Sequence, residues 1–158
     1  MDVQSSPLPL PHTDWPAGLT LRLDDAELLH MATHGDAPDD VVLHLATAGV
    51  HGELVKGEPP AEGFVGPFAL RCVKATRLPG HDHDEAVPAG IRGGALTLHP
   101  NRGQRLQAWP LLSRLAPPEG HALVLELSLR PAGTIRLLCE ALEPVVLPQS
   151  RVRVSWAC

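Results

Sequence analysis

Residues 121–142, HALVLELSLRPAGTIRLLCEAL, carry the strongest pattern in the chain. Apolar residues recur at every second position on both sides of a Pro-Ala-Gly turn, which is the spacing of two strands that share one buried face. Pro131 presets the backbone for the first corner of a type I turn, and Gly133 accepts the left-handed conformation that follows. The stretch therefore predicts a β-hairpin with a three-residue loop and a bulge.

The turn also predicts the register of this hairpin. Closing the loop between Arg130 and Thr134 sets four apolar pairs: Leu129 with Ile135, Leu127 with Leu137, Leu125 with Cys139, and Leu123 with Ala141. All of these side chains then share one face, whereas a slip of one residue would divide them between the two faces. Burial of each large aliphatic side chain contributes about 1.5–3 kcal/mol, so we expect this face to form the core.

The opposite face of the hairpin is only half polar. It alternates apolar and charged positions, namely Val124, Leu138, Leu142, Glu126, Arg136 and Glu140. Glu126 lies diagonally from Arg136 in the predicted register, which allows an ion pair across the strands. We expect a loop, the N-terminal arm or another subunit to cover part of this face, and cover by the chain itself is the simplest expectation.

Composition predicts one soluble domain with many turns. The 158 residues include 17 Pro and 14 Gly with no repeat period, and 44% are hydrophobic, a proportion typical of folded domains. A net charge of −5 without a basic cluster argues against a nucleic-acid or anionic-membrane partner. The chain has no apolar run of signal-peptide or transmembrane length, and its three Cys show no paired spacing. We therefore expect a cytoplasmic protein with no membrane partner.

Along the chain, residues 1–18 predict an extended Pro-rich arm and residues 19–158 an all-β domain. A frame of apolar-x-apolar-x-x-Ala recurs in LRLDDA (21–26), LHLATA (43–48) and LRCVKA (70–75). Each frame shifts the apolar phase by one residue, as a β-bulge or a sharp strand bend does. Coincidence in a chain rich in Leu and Ala is the alternative.

The remaining elements follow from turn and breaker residues. We expect loops at 33–40, 53–63 and 79–94, a strand region at 64–78, a hairpin of 95–99 with 104–109, a helix at 110–115, an edge strand at 145–147 and a last strand at 151–156. The fold class is therefore a single-domain β-sandwich or small β-barrel. It has about eight mostly antiparallel strands and at most one short helix.

The segment 80–85, GHDHDE, is the sharpest candidate for chemistry. His81 and His83 point the same way on an extended segment, so both imidazoles can bind one divalent metal. Asp82, Asp84 or Glu85 can add an oxygen ligand, and His99 a third nitrogen from the nearby hairpin. The alternative is a solvated polar loop, in which His, Asp and Glu are ordinary residues.

The same segment resembles a motif of the cupins. His81-x-His83 stands beside Pro88-x-Gly90 in an all-β chain, and cupins carry His-x-His, a Glu three or four residues later, a Pro-x-Gly segment and a further His. Here Glu85 follows after one intervening residue, and Gly93 stands where the further His would follow. The resemblance covers about ten residues and implies a metal-dependent barrel enzyme.

Three functions remain open. The first is a non-catalytic binding or interaction domain that associates with a protein partner or with itself. The second face of the hairpin and sheet edges near Val145 and Val152 would supply its contacts. The alternatives are a metal-dependent, cupin-like enzyme that uses His81-x-His83 and a small carrier of apolar ligands. The chain shows no nucleophile motif, and Cys72 and Cys139 are expected to be buried and inert, so the first function is favoured.

Overall fold

The computed structural model of the chain is all-β, which confirms the predicted fold class. The structure describes residues 8–9, 19–34, 37–54, 57–83, 88–100, 105–106, 109–110, 115–145 and 147–154. Every pairing between the strands of these residues is antiparallel. Within them, no helix is long and apolar enough to cross a bilayer.

Thirteen strands are assigned within the described residues. They are β1 (Leu8–Pro9), β2 (Thr20–His34), β3 (Ala37–Gly52), β4 (Ala61–Gly66), β5 (Phe68–Val73), β6 (Thr76–Arg77), β7 (Ala89–His99), β8 (Arg105–Leu106), β9 (Trp109–Pro110), β10 (Ala122–Arg130), β11 (Thr134–Cys139), β12 (Ala141–Val145) and β13 (Arg151–Val154). Four of them, β1, β6, β8 and β9, have only 2 residues each. The count therefore exceeds the expected number mainly because of these short strands.

The strands form one strongly bent sheet. Its main path runs β1-β13-β4-β3-β2-β7-β10-β11-β6, with β1 and β6 at its ends, so the sheet as a whole is not closed into a barrel. A branch folds the sheet back on itself, because β5 pairs with both β3 and β12, and β12 follows β11 after the single residue Glu140. From β2, pairings lead through β3 and β5 to β12, the chain connects β12 to β11 through Glu140, and pairings through β10 and β7 lead back to β2. We call these seven strands, which surround the core, the circuit.

The central hairpin, β10 and β11, supplies a large part of that core, as the alternation predicts. The inner face of the hairpin and the first residue of β12 contribute eight apolar side chains that are at most 3% exposed: Leu123, Leu125, Leu127, Leu129, Ile135, Leu137, Cys139 and Ala141. They face Leu28 of β2, Leu43 of β3 and Phe68 of β5 in a single apolar cluster, apart from Ala141, which is buried outside it.

The predicted register of the hairpin is wrong by two residues. Leu127 pairs with Ile135, and the last pair before the turn is Ser128 with Thr134. A shift of two residues keeps every side chain on its predicted face, because the period of a strand is two. The turn is wider than expected because β10 continues beyond the hairpin to pair Arg130 with Gly90 of β7. Gly133 has a positive φ of 112°, as the turn requires.

In two of the three recurring frames, one residue has a left-handed backbone conformation, and the strand bends or ends there. Asp25, the fifth residue of the first frame, has φ 65°, and Lys74, the fifth of the third, has φ 49°. At the first frame the β2–β3 pairing jumps from Arg22 to Glu27 while β3 advances only from Gly49 to Thr47. The predicted bulge is therefore confirmed at the first frame, and the third frame ends β5 at a corner.

A buried carboxylate stabilises that corner. Asp40 is 3% exposed, and its Oδ1 accepts a hydrogen bond of 2.8 Å from the backbone N–H of Lys74. Its Oδ2 accepts one of 2.6 Å from Nε of Arg71. The burial of a charge is thereby compensated by an ion pair and a backbone donor, as interiors require. The corner lets β5 pair with β12 while the next strand, β6, pairs with β11.

The middle strand β3 changes partner halfway along its length. Val41 to Leu45 pair with β5, whereas Ala48 to Gly52 pair with β4. The backbone crosses from one partner to the other where Gly66 lies against the carbonyl oxygen of Ala46, and a Cβ at Gly66 would overlap that oxygen. A glycine is therefore required at this crossing.

Several predicted boundaries need correction. The 33–40 loop is largely strand, since β2 extends to His34 and β3 begins at Ala37. The 79–94 loop is too long by at least six residues, because β7 begins at Ala89. The predicted 110–115 helix has extended backbone at both described ends: Pro110 belongs to β9, and Leu115 forms a bridge with Leu142. Residues 111–114 lie outside the described residues.

Other predictions stand in part. The hairpin after β7 is confirmed by the pairing of Leu96 with Leu106. Of the N-terminal arm, only Leu8–Pro9 is described, and it pairs with β13. Val152, expected at a free edge, has strands on both sides because β13 lies between β1 and β4. Leu142, expected on the outer face of the hairpin, is buried in the core because the strand changes phase at Glu140.

Candidate functional site on the outer face of the hairpin

The outer face of β7, β10 and β11 carries an open pocket, which we call the outer pocket. It has a volume of about 110 Å³ and is lined by Leu78, Thr97, His99, Val124, Glu126, Arg136 and Leu138. Strand pairing places these residues side by side, since Val124 pairs with Thr97 on one side and with Leu138 on the other. This is the half-apolar face that the alternation predicts to be partly covered.

An ion pair crosses the outer pocket. Glu126 lies directly opposite Arg136 rather than diagonally from it, and Nε of Arg136 donates a hydrogen bond of 3.1 Å to Oε2 of Glu126. The Arg136 side chain is 25% exposed and that of Glu126 43%, so solvent screens the pair and its contribution to stability is small. The pair leaves the pocket close to electrically neutral, beside the apolar side chains of Val124 and Leu138.

Residues 78–83, which we call the cap segment, cover the edge of β11 next to the pocket. The Leu78 N–H donates to the carbonyl oxygen of Arg136 at 3.0 Å, and the Asp82 N–H donates to that of Thr134 at 2.9 Å. The guanidinium of Arg136 donates to the carbonyl oxygen of Pro79. The chain itself therefore covers part of the outer face, in agreement with the simplest expectation.

Two side chains of the cap segment complete this edge. Oδ1 of Asp82 accepts a hydrogen bond of 2.5 Å from the N–H of Thr134, and Nδ1 of His81 accepts one of 3.1 Å from the N–H of Arg136. Unpaired backbone groups at a sheet edge are a template for association with another strand. His81 and Asp82 thus act as substitutes for a neighbouring strand along the outward-facing groups of β11.

The hydrogen bond to Arg136 also determines the protonation of His81. A backbone N–H can only donate, so Nδ1 of His81 is the unprotonated nitrogen, and the proton of the neutral ring is on Nε2. Nε2 of His81 is buried without a hydrogen-bond partner, and so is Nε2 of His83. A buried donor without an acceptor costs about 1–3 kcal/mol, so this arrangement is held by the other contacts of the cap segment.

The surroundings of His81 favour its neutral form. Burial lowers the pKa of His81 from its ordinary value of 6.5, and the charges of Arg77 and His83 lower it further, while Asp82 raises it. The unprotonated Nδ1 that the edge of β11 needs is therefore the form favoured at neutral pH.

The predicted metal ligands are described only in part. His81 and His83 lie in the cap segment, His99 lines the outer pocket, and Glu85 lies outside the described residues. Among the described residues, no group of three or more His, Cys, Asp or Glu side chains is arranged to hold a metal ion. A metal on His81 would need a free lone pair, and its unprotonated nitrogen already binds Arg136. Metal binding by this histidine and its present contact with β11 are therefore mutually exclusive, and the metal site stays a prediction.

Among the described residues, two large apolar side chains are exposed elsewhere. Phe64 on β4 is 50% exposed and Leu29 on β2 is 43% exposed. Phe64 stands beside Gly49 and Arg153, and the nearby Arg22 pairs with Glu62 across β3. Isolated exposed apolar residues are common on monomeric proteins, so neither side chain by itself indicates a binding site.

Sequence reasoning missed the role of the cap segment. The residues that matter there are Leu78, His81 and Asp82, two of which the pattern assigns to metal binding. A signal was present, because β11 has outward-facing backbone groups that some other segment must satisfy. The segment that does so is the one that continues along β11 after β6. The alternation of apolar residues does not predict which segment will lie there.

Comparisons of the chain with known protein families, with curated proteins and with solved structures found no match.

Proposed function

We propose that this chain is a non-catalytic association domain in which two copies pack their outer faces together. The observation that carries the proposal is the outer pocket, an open, half-apolar depression on a regular sheet. Its volume of about 110 Å³ is well below the roughly 300–1,000 Å³ of small-molecule sites. A pocket of this size suits one apolar side chain of a partner better than a whole ligand.

The charges of the outer face favour a second copy as the partner. Glu126 and Arg136 lie side by side on neighbouring strands. A two-fold axis through the face would set the carboxylate of one copy against the guanidinium of the other. Two-fold pairing is the commonest symmetry of soluble oligomers, and it requires a self-complementary surface of this kind. Leu138, which is half-buried beside the buried Val124, would form the dry centre of the contact, and the ion pairs its polar rim.

The test is the mass of the protein in solution as a function of concentration. Leu138→Lys places a charge at the centre of the proposed contact, and we expect it to weaken dimer formation at least tenfold because a lysine there would be desolvated without a partner. Sedimentation velocity measures the dissociation constant, and circular dichroism verifies that the variant remains folded. Leu138 is half-buried, so the lysine can reach solvent in the monomer.

The matched control is Leu29→Lys, which removes an exposed apolar side chain from β2 instead. We expect this variant to associate as the unmodified protein does. A protein that stays monomeric at all concentrations would contradict the proposal. So would a Leu138→Lys variant that is folded and dimerises with unchanged affinity.

A further inference from the structure

We propose that Cys72 and Cys139 form an internal disulfide when the protein meets a low-molecular-weight disulfide oxidant, and that this crosslink locks the core. Both are free cysteines in the structure, both are at most 1% exposed, and both belong to the apolar core cluster. A hydrogen bond joins the two thiols. The inference is independent of the proposed association function, because neither side chain lies on the outer face of the hairpin.

Strand pairing fixes the backbone at both cysteines. Cys72 on β5 pairs with Val41 of β3 on one side and with Leu142 of β12 on the other. Cys139, the last residue of β11, pairs with Leu123 of β10. Neither thiol can move far unless hydrogen bonds of the sheet break, so the contact between the two sulfurs is a property of the fold.

A backbone hydrogen bond holds the two cysteines together at the bend between β11 and β12. Glu140, the single residue between these strands, donates its N–H to the carbonyl oxygen of Val73 at 2.9 Å. Val73 directly follows Cys72, and Glu140 directly follows Cys139. A disulfide tolerates only a short separation between its two α-carbons, and this hydrogen bond keeps the two segments close.

Oxidation would proceed by two thiol–disulfide exchanges. The sulfur of one cysteine attacks an oxidant such as oxidised glutathione, which forms a mixed disulfide and releases one glutathione thiol. The sulfur of the other cysteine then attacks the mixed disulfide at the protein sulfur and releases the second glutathione thiol. Two protein thiols are oxidised, one oxidant disulfide is reduced, and the two protons end on the released thiols. Burial prevents attack in the folded state, so the crosslink forms when the protein unfolds and refolds.

The crosslink would reinforce the circuit at the one step that strand pairing does not supply. Among the described residues, β12 and β11 are joined in the circuit through Glu140 of the chain. A disulfide between Cys72 and Cys139 would connect β5 directly to β11 across this step. Because the fold brings the two thiols together, the disulfide must stabilise the fold by the same factor by which the fold favours the disulfide.

The experiment measures the thiol–disulfide equilibrium in the native and in the denatured state. The full-length protein carries Cys158→Ser, which removes the cysteine outside the described residues. It is equilibrated without oxygen in glutathione buffers of graded ratio, by refolding from urea, starting from the reduced and from the oxidised protein. Mass spectrometry after acid quenching gives the oxidised fraction. We expect an effective concentration of one thiol toward the other at least about a hundredfold higher in native buffer than in about 8 M urea.

Urea unfolding of the two redox forms is the second readout. The unfolding equilibrium constant of the oxidised protein should be smaller than that of the reduced protein by the same factor, at least about a hundredfold. Agreement of the two factors would show that the native fold, and not the general proximity of residues in one chain, favours the crosslink. A crosslink that forms but lowers stability would contradict the proposal.

The matched control moves the second thiol by one residue to the exposed side of the same bend. Cys139→Ala together with Glu140→Cys leaves the length of the denatured loop almost unchanged, since Glu140 is the next residue and is exposed. We expect the effective concentration in urea to stay the same and the increase in native buffer to be lost.

Two results would overturn the inference. One is an effective concentration for the natural pair that is equal in native buffer and in urea. The other is a native protein that accumulates only mixed disulfides with glutathione. If the control variant does not fold, the native-against-urea comparison and the unfolding of the natural pair still decide the outcome.

Discussion

The imidazoles of His30 and His44 stack across β2 and β3, with ring centroids 4.4 Å apart and planes 15° from parallel. The two residues are direct partners in the strand register. Burial lowers the pKa of His44 from its ordinary value of 6.5, and the charge of His30 lowers it further. A group whose pKa is lowered by folding binds fewer protons in the folded state than in the unfolded state at the same pH. Its contribution to stability is therefore complete above pH 6.5 and is lost as the pH falls from there through the folded pKa.

We expect His30→Gln to raise the pKa of His44 toward its ordinary value, because the neighbouring positive charge is removed. NMR titration of the His44 ring protons measures this shift directly. The substitution should also make the unfolding free energy less sensitive to acid between about pH 7 and pH 5. His121→Gln, immediately before β10, is the control, since β10 pairs with β7 and β11 and not with β2 or β3. An unchanged His44 titration in His30→Gln would show that the stacked rings do not interact electrostatically.

His81 shows how one residue pattern allows two chemistries. Alternation places His81 and His83 on one side of an extended segment, which suits a metal ion. The structure uses the same spacing differently, with Nδ1 of His81 bound to the Arg136 amide. A histidine nitrogen serves either purpose through the same lone pair, so residue type and spacing predict a nitrogen acceptor but not its partner.

At the scale of elements, the hairpin register and the bends have different origins. Alternation determines which face of β10 is buried, but it has a period of two and cannot distinguish registers that differ by two residues. The observed register goes with the pairing of β10 with β7, which continues to Arg130, beyond the last pair of the hairpin. This contact lies outside the hairpin. By contrast, the bend at Asp25 was predictable, because the apolar phase changes within β2 itself.

A pair of glycines tests the crossing in β3. Gly66→Ala places a methyl group against the carbonyl oxygen of Ala46, which is backbone and cannot move away cheaply. We expect a loss of unfolding free energy of about 1–3 kcal/mol or more, measured by denaturant unfolding.

Gly49→Ala is the matched control on the same sheet. Its methyl group would lie 3.6 Å from the carbonyl oxygen of Arg22, an ordinary contact. We expect a change of less than about 1 kcal/mol, of either sign. Equal losses in the two variants would mean that the general cost of replacing a strand glycine, and not the crossing, decides the outcome.

For the whole molecule, the circuit of strands predicts cooperative unfolding. Cys72 on β5 and Cys139 on β11 are 0% and 1% exposed, and they lie in neighbouring parts of the one core. A hydrogen bond with Cys139 and burial raise the pKa of the Cys72 thiol well above its ordinary value, which makes Cys72 unreactive in the folded state. Cys139 is shielded from reagents by its burial.

We expect both thiols to react with an alkylating reagent only through global unfolding, because exposure of either one separates strands of the circuit. Mass spectrometry of the two peptides after timed labelling should give equal rates with the same dependence on urea. The sheet itself would prove less cooperative than the circuit implies if Cys139 became labelled in urea well below the unfolding transition.

The amino-acid sequence by itself determined that this protein is all-β, which side chains of the central hairpin are buried, and where β2 bends. These features depend on alternation, phase and turn residues within one stretch of chain, and the hydrophobic effect acts on them locally. The two-residue register, the partner change in β3 and the cover over β11 were decided only by the tertiary structure. Each of them depends on backbone hydrogen-bonding groups, which are the same in every residue except proline, so the sequence does not indicate which two distant segments will pair.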